Sequence, residues 1–145
     1  MLYTEICYPE KKSMGSECKR ILIIDPDIMS VYPLYSDLIR DGFTVETSSN
    51  LREAVERIKD VKFCCVIMDV NLPRIKGYDA VSILKAIDPK VKIIMTTNKN
   101  SMEIEAEVRK QDIVYYYIKS FDRGELVEAV RDVYQRQQMM WTTFV

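Results

Sequence analysis

From Arg20 onward the sequence alternates short apolar, β-branched runs with amphipathic segments, five times over. That alternation is the pattern of a parallel sheet wrapped by helices, and it leaves little room for any other architecture. The strand candidates are Arg20–Ile24, Phe43–Thr47, Cys64–Met68, Val91–Met95 and Ile113–Ile118. The first, third and fourth read as nearly unbroken apolar runs, as strands covered on both faces should.

Between the strands, Leu51, Ala54, Val55 and Ile58 recur at helical spacing behind Asn50, with Glu53 three places after that candidate N-cap. The last helix follows the same logic, with Asp122 as cap, Glu125 as its reciprocal partner, and Leu126, Ala129, Val130 and Val133 on one face. The first helix is less regular. Pro33 falls among Ile28, Val31, Leu34 and Leu38 and has no amide to donate, which predicts a kink or a late start before Asp41 and Gly42 end the helix.

A chain of 145 residues holds one ordinary domain. We place that domain at 19–136, between an N-terminal extension, 1–18, that shows neither period, and an apolar tail, 137–145. Met14 is a possible translation start. The tail carries Met139, Met140, Trp141, Phe144 and Val145, and a segment so apolar is expected to fold back on the body rather than serve as a docking peptide.

Composition removes several chemistries. Acids and bases nearly cancel, to a formal charge of −1, so nothing favours gripping a nucleic-acid backbone. The chain has no histidine, hence no imidazole base, no imidazole metal ligand and no phosphohistidine of its own. Cys7, Cys18, Cys64 and Cys65 lack the CxxC spacing of zinc or redox sites and read as reduced thiols in a cytoplasm. No stretch nears the roughly 20 apolar residues of a membrane helix, and residues 1–18 lack a signal peptide's hydrophobic block, so a soluble, cytoplasmic protein is expected.

In an open parallel sheet, ligands bind beyond the carboxyl ends of the strands, where adjacent connections leave in opposite directions. The first strand ends in Asp25, Pro26 and Asp27, and the third in Asp69, Val70, Asn71, Leu72 and Pro73, followed by Gly77. The fourth ends in Thr96 and Thr97, and the fifth in Lys119. Downstream, Tyr117, Ile118, Lys119, Ser120, Phe121 and Asp122 precede Glu125 and Leu126.

Over about residues 19–136 this set resembles the receiver domain of response regulators, the phosphorylated module of two-component signalling. Each motif is weak alone; together and in order they are specific. The resemblance implies a flavodoxin-like, doubly wound α/β fold with a five-stranded parallel sheet in the order 2-1-3-4-5 and five surrounding helices. It implies that Asp69 is the phosphoacceptor, Lys119 the paired cation, Thr97 the switch hydroxyl and Tyr116 the switch aromatic. Asp25 matches the first acid of the family's acidic pair, and Asn71 the position whose backbone carbonyl faces the metal. Thr97 is preferred to Thr96 because it lies 22 residues before Lys119 and 28 after Asp69, spacings typical of the family.

Physical reasons support these assignments. A carboxylate attacking a phosphoryl group meets strong charge repulsion, so the site needs a divalent cation and a fixed ammonium beside the transferring oxygens. Mg2+ suits the carboxylates of Asp25 and Asp69 and the carbonyl of Asn71, and Lys119 and Thr97 can bind the new phosphoryl oxygens. Asp27 serves better as the N-cap of the first helix than as a further metal ligand. Tyr116 stands among three tyrosines, so plain packing competes with a switch role. Residues Lys99, Asn100, Ser101 and Met102 read as a solvated loop and helix start.

Three positions depart from the family pattern. Pro26 replaces the second acid, which removes a charged ligand and weakens Mg2+ binding unless Asp27 or water substitutes. Asn98 stands where a small residue is usual and narrows access to Asp69. Ser120 replaces the usual proline after the lysine, so the bond before it is expected to be trans.

The leading expectation is a switch that takes a phosphoryl group onto Asp69 from the phosphohistidine of a sensor histidine kinase or phosphotransfer protein. Apart from assisting its own phosphorylation and dephosphorylation it is no enzyme. The alternative is a degenerate receiver that binds partners without phosphorylation. Signalling would run through the face of the fourth helix, fifth strand and fifth helix, to an unidentified output protein or a homodimer. A haloacid-dehalogenase-like phosphatase fits Asp25-Pro26-Asp27 but lacks the downstream acidic pair and leaves little room for a cap. A flavin carrier needs a Ser, Thr and Gly-rich phosphate loop where this chain has Asp25 to Met29.

Overall fold

The computed structural model describes residues 18–120 and 122–144. The expected N-terminal extension therefore lies outside the described residues except for Cys18, as do Phe121, Val145 and the side chains of Met140, Trp141 and Phe144.

In chain order the elements are β1 (Arg20–Ile24), α1 (Ile28–Arg40), β2 (Thr44–Ser48), α2 (Leu51–Asp60), β3 (Cys65–Asp69), β4 (Asn71–Leu72) and β5 (Ile75–Lys76). They continue with α3 (Gly77–Ile87), β6 (Lys92–Thr97), α4 (Met102–Arg109), β7 (Tyr115–Ile118) and α5 (Arg123–Phe144). The main sheet has the order β2-β1-β3-β6-β7 with every pairing parallel. This is the doubly wound order expected from the sequence. The short antiparallel β4–β5 hairpin was not foreseen. Pro73 and Arg74 form its turn, and Arg74 takes a positive φ of 72°, a left-handed conformation that suits the position after a turn proline.

Alternation along the strands splits the core in two. Leu22, Ile24, Val66, Met68, Ile93 and Met95 face α2, α3 and α4. Ile21, Ile23, Cys65, Ile67 and Ile94 face α1 and α5, which contribute Val31, Leu34, Leu38, Leu126, Val127, Val130 and Val133. Fully burying one such aliphatic side chain contributes about 1.5–3 kcal/mol, so these two layers are the main source of stability.

Local signals start most helices where expected. Asn50 accepts from Glu53 N at 2.9 Å, and the Glu53 carboxylate reaches back to Ser49 N. Ser101 caps α4 by accepting from Ile104 N at 3.1 Å. At the head of α5, Asp122 Oδ1 accepts from Gly124 N at 2.9 Å.

One expectation needs correction. The first helix has no late start: it begins at Ile28, because Asp27 caps it through Ser30 N, and it runs through Pro33 to Arg40. Pro33 has an exposed position there, and Gly42 ends the helix at a φ of 99°. The last helix runs from Arg123 to Phe144 and so takes in most of the apolar tail at 137–145. Gln137 docks this extension on the body by donating to the carbonyl of Cys64 at 3.0 Å.

Gly77 sets the distance between α3 and the end of β3. Its amide donates to Val70 O at 2.6 Å, and a Cβ at this position would strike the carbonyl oxygen of Asp69 and lie 2.8 Å from Met95 Cε. Gly77→Ala is therefore expected to cost about 1–3 kcal/mol and to move the Asp69 loop. Thermal denaturation together with amide shifts of residues 69–71 would check it; an unchanged midpoint would mean the backbone yields more easily than these distances imply.

Candidate functional site

β1 and β3 lie side by side, and the chain leaves them toward opposite edges of the sheet, β1 to β2 and β3 to β6. Beyond their carboxyl ends a crevice opens, and the acids that end both strands stand in it. Asp25 and Asp69 are buried, at 2% and 3% exposure. Lys119, just past β7, reaches across to both. Its Nζ lies 2.5 Å from Asp25 Oδ2 and 3.0 Å from Asp69 Oδ1.

The remaining carboxylate oxygens are held by backbone. Asp25 Oδ1 accepts from Asp27 N at 2.8 Å, and Asp69 Oδ2 accepts from Asn71 N at 2.9 Å. Asp69 Oδ1 is buried, and it pairs with the Lys119 ammonium at 3.0 Å without a well-aligned hydrogen bond. Burial holds the Asp69 carboxyl above its ordinary range, and the neighbouring Asp25 adds to that, against the pull of Lys119. Burial opposes the charge on Lys119, but its contacts with Asp25 and Asp69 outweigh it and raise the ammonium's pKa.

This donor set suits a hard cation. Two buried carboxylates, one with an oxygen lacking a hydrogen bond, offer what Mg2+ prefers, and the carbonyl of Asn71 is the third candidate oxygen. No cluster of three metal-binding side chains occurs among the described residues. Pro26 supplies no donor, and Asp27 is exposed, with its carboxylate on the amide of Ser30 at 3.2 Å. The side chain of Asn71 is occupied in accepting from Lys76 at 2.9 Å.

Thr96 and Thr97 point to opposite sides of the sheet. Thr96 is in register with Asp69 and Tyr117, and it borders a half-open cavity of about 190 Å3 together with Asp25, Ile67, Lys119 and Arg123. Thr97 is fully buried, and its hydroxyl donates to Lys99 O at 3.1 Å. It makes no hydrogen bond to Asp69. Asn98, beyond the strand end, is exposed, and the peptide bond before Ser120 is trans.

Tyr116 lies on Thr97's side of the sheet, half-buried against the core beneath α4. Its hydroxyl donates to Asn100 Oδ1 at 2.6 Å and is within hydrogen-bonding reach of Thr97. Burial holds the phenol's pKa above its ordinary value. Asn100 in turn donates to Glu105 Oε1 at 3.1 Å, and Arg109 grips the same carboxylate. Sequence reasoning left Asn100 as solvated loop. Only its place three residues after Thr97 hinted otherwise.

Residues 21–131 match the family model of the response regulator receiver domain. The chain is 32% identical to the chemotaxis protein CheY of Thermotoga maritima over 116 residues, which cover 79% of this chain and 97% of that protein. Its structure is similar to the CheY-like receiver domain protein of Methanospirillum hungatei, with a TM-score of 0.78 at 24% identity, covering 86% of this chain and 99% of that one. It is also similar to the response regulator TrrA of Thermotoga maritima solved with Mg2+ and BeF, with a TM-score of 0.71 at 26% identity, covering 79% and 98%. Among the transcriptional regulatory proteins that it matches, the chain spans about half or about a quarter of their length.

The Asn100 contact can be tested directly. Asn100→Ala should cost about 1 kcal/mol and free the Tyr116 ring, and Tyr116→Phe should cost little more once Asn100 is gone. A double-mutant cycle by chemical denaturation checks this, and strictly additive losses would refute the coupling.

Proposed function

The chain belongs to the response regulator receiver domain family, and we propose that it is a signalling switch that accepts a phosphoryl group on Asp69. The donor in this reading is a phosphohistidine of a sensor histidine kinase or phosphotransfer protein, since this chain has no histidine of its own. A carboxylate oxygen of Asp69 attacks the phosphorus, the phosphorus–nitrogen bond breaks, and the imidazole leaves with the bonding pair. The observation that carries this reading is the buried Asp69 carboxylate, one oxygen free of hydrogen bonds, 3.0 Å from the Lys119 ammonium.

Each neighbour has a task. Lys119 neutralises the transferring oxygens and stays with the acyl phosphate. Asp25, Asp69 and the carbonyl of Asn71 would hold Mg2+, which supplies further positive charge when bound; Asp27 joins them only by leaving its helix cap. Thr97 is the hydroxyl drawn toward the new phosphoryl group. Its shift would be felt by Tyr116, which shares its side of the sheet. The face of α4, β7 and α5, where Tyr115, Val114 and Met102 are exposed, then meets an output protein or a second copy. We place this exchange in the cytoplasm. Among the described residues no helix is long and apolar enough to cross a membrane.

A second reading has its own observation. With Pro26 in place of an acid, the crevice offers a metal one carboxylate fewer, and Lys119 engages Asp25 at 2.5 Å, which favours a receiver that signals without phosphorylation.

Acetyl phosphate with Mg2+ separates the two. The first reading expects a phosphoryl increment in the intact mass that Asp69→Asn abolishes and Lys119→Ala reduces strongly; folded protein that gains no mass beside a working control receiver would favour the second. Pro26→Asp, which restores a carboxylate, is expected to tighten Mg2+ binding by on the order of tenfold, measured by titration calorimetry. Unchanged affinity would show that position 26 does not face the metal.

A further inference from the structure

At the end of the sheet opposite Asp69, two thiols meet. Cys64 stands just before β3, buried at 2% exposure, and its amide donates to Arg20 O at 2.9 Å, which pins the start of β3 beside the start of β1. Cys18, two residues before β1, is half-buried against the same core cluster that contains Cys64. Its Sγ donates to Lys62 O at 3.6 Å, two residues before Cys64, so the two thiols are neighbours at the base of the sheet. Neighbouring thiols at the entries of two paired strands are placed for a disulfide, whose bond length is about 2.05 Å.

The two sulfurs are not equivalent. Cys18 is reachable from solvent. The hydrogen bond from Cys64, with help from the Arg20 backbone and the charges of Lys62 and Arg20, holds its thiol below the ordinary range despite burial. Cys64 is pushed upward by that same bond and by burial, so it keeps its proton. Cys65 is wholly buried, and burial alone pushes it up to about 12. A half-buried thiol of lowered pKa next to a buried thiol of raised pKa is the arrangement of an attacking and a resolving cysteine.

We propose that Cys18 and Cys64 form a peroxide-sensitive pair that closes to a disulfide between the bases of β1 and β3. The Cys18 thiolate attacks one oxygen of a hydroperoxide. The O–O bond breaks, the leaving oxygen takes a proton and departs as water or alcohol, and Cys18 becomes a sulfenic acid. The Cys64 sulfur then attacks Cys18 Sγ; the S–O bond breaks, and the Cys64 proton leaves with the hydroxide as water. Two thiols are oxidised and one peroxide is reduced. The bond staples residue 18 to residue 64 and restricts the unfolded chain, so the oxidised protein is the more stable form. None of these steps involves Asp69, and the pair would operate whether or not the chain is phosphorylated.

Hydrogen peroxide is the probe, applied to the full chain and read by intact mass and tryptic mapping. Wild type is expected to lose two hydrogens and to show a cross-link between the peptide with Cys18 and the peptide with Cys64 and Cys65, which fragmentation places on Cys64. Its thermal midpoint should rise by several degrees and fall back on reduction. Cys18→Ser should not react at the same dose, and Cys64→Ser should leave a dimedone-trapped sulfenic acid on Cys18. If the buried Cys64→Ser variant fails to fold, the wild-type map and the half-exposed Cys18→Ser variant decide the question alone. A bond on Cys65 or Cys7, a link between two chains, or no reaction at a dose that oxidises free cysteine would overturn the proposal.

Discussion

Two carboxylates and one ammonium share a buried space at the head of the sheet, and much of the surrounding structure is there to hold them. Removing a carboxylate from water costs several kcal/mol even after relaxation, and Asp25 and Asp69 both stand almost wholly out of solvent. Lys119 makes that tolerable by contacting both, with the amides of Asp27 and Asn71 completing the shell. A cluster balanced in this way responds to any added charge. A phosphoryl group or a divalent cation placed among these three would redistribute the bonds of each.

The parallel sheet divides that response between two faces. Asp69 and Thr96 belong to the face covered by α1 and α5, whereas Thr97 and Tyr116 belong to the face beneath α2, α3 and α4. Thr97 is the last residue of β6 and stands on the second face, while its strand neighbour Thr96 stands on the first. Asn100 adds a restraint on the receiving side, since Tyr116, Asn100, Glu105 and Arg109 form one chain of polar contacts. The ring is thus tied to α4 by a side chain in addition to its packing against the core.

Much of the architecture was legible because it rests on local signals. Apolar runs marked the strands of the main sheet to within a residue or two, and Asn50 and Asp27 marked the starts of α2 and α1 through bonds to amides three residues away. Where expectation and structure diverge, a neighbour far along the chain or a weak signal is the reason. A single proline did not delay α1, because the cap at Asp27 sets the start and Pro33 sits at an exposed position. The β4–β5 hairpin is two residues per strand, too short for a period to register. The extension of α5 past Arg136 is held partly by Gln137 reaching a carbonyl 73 residues away.

The order of residues by itself determined the alternation of strand and helix, the two-sided burial of the sheet and the presence of acids, hydroxyls and an ammonium at its strand ends, because period and capping are read within a few residues. Tertiary structure alone decided which of those groups meet. Lys119 is 94 residues from Asp25, and register and strand order bring them to 2.5 Å; the same register turns Thr97 away from Asp69. The contacts of Asn100 with Tyr116 and of Cys18 with Cys64 likewise depend on strands that become neighbours only when the sheet closes, and no local pattern encodes them.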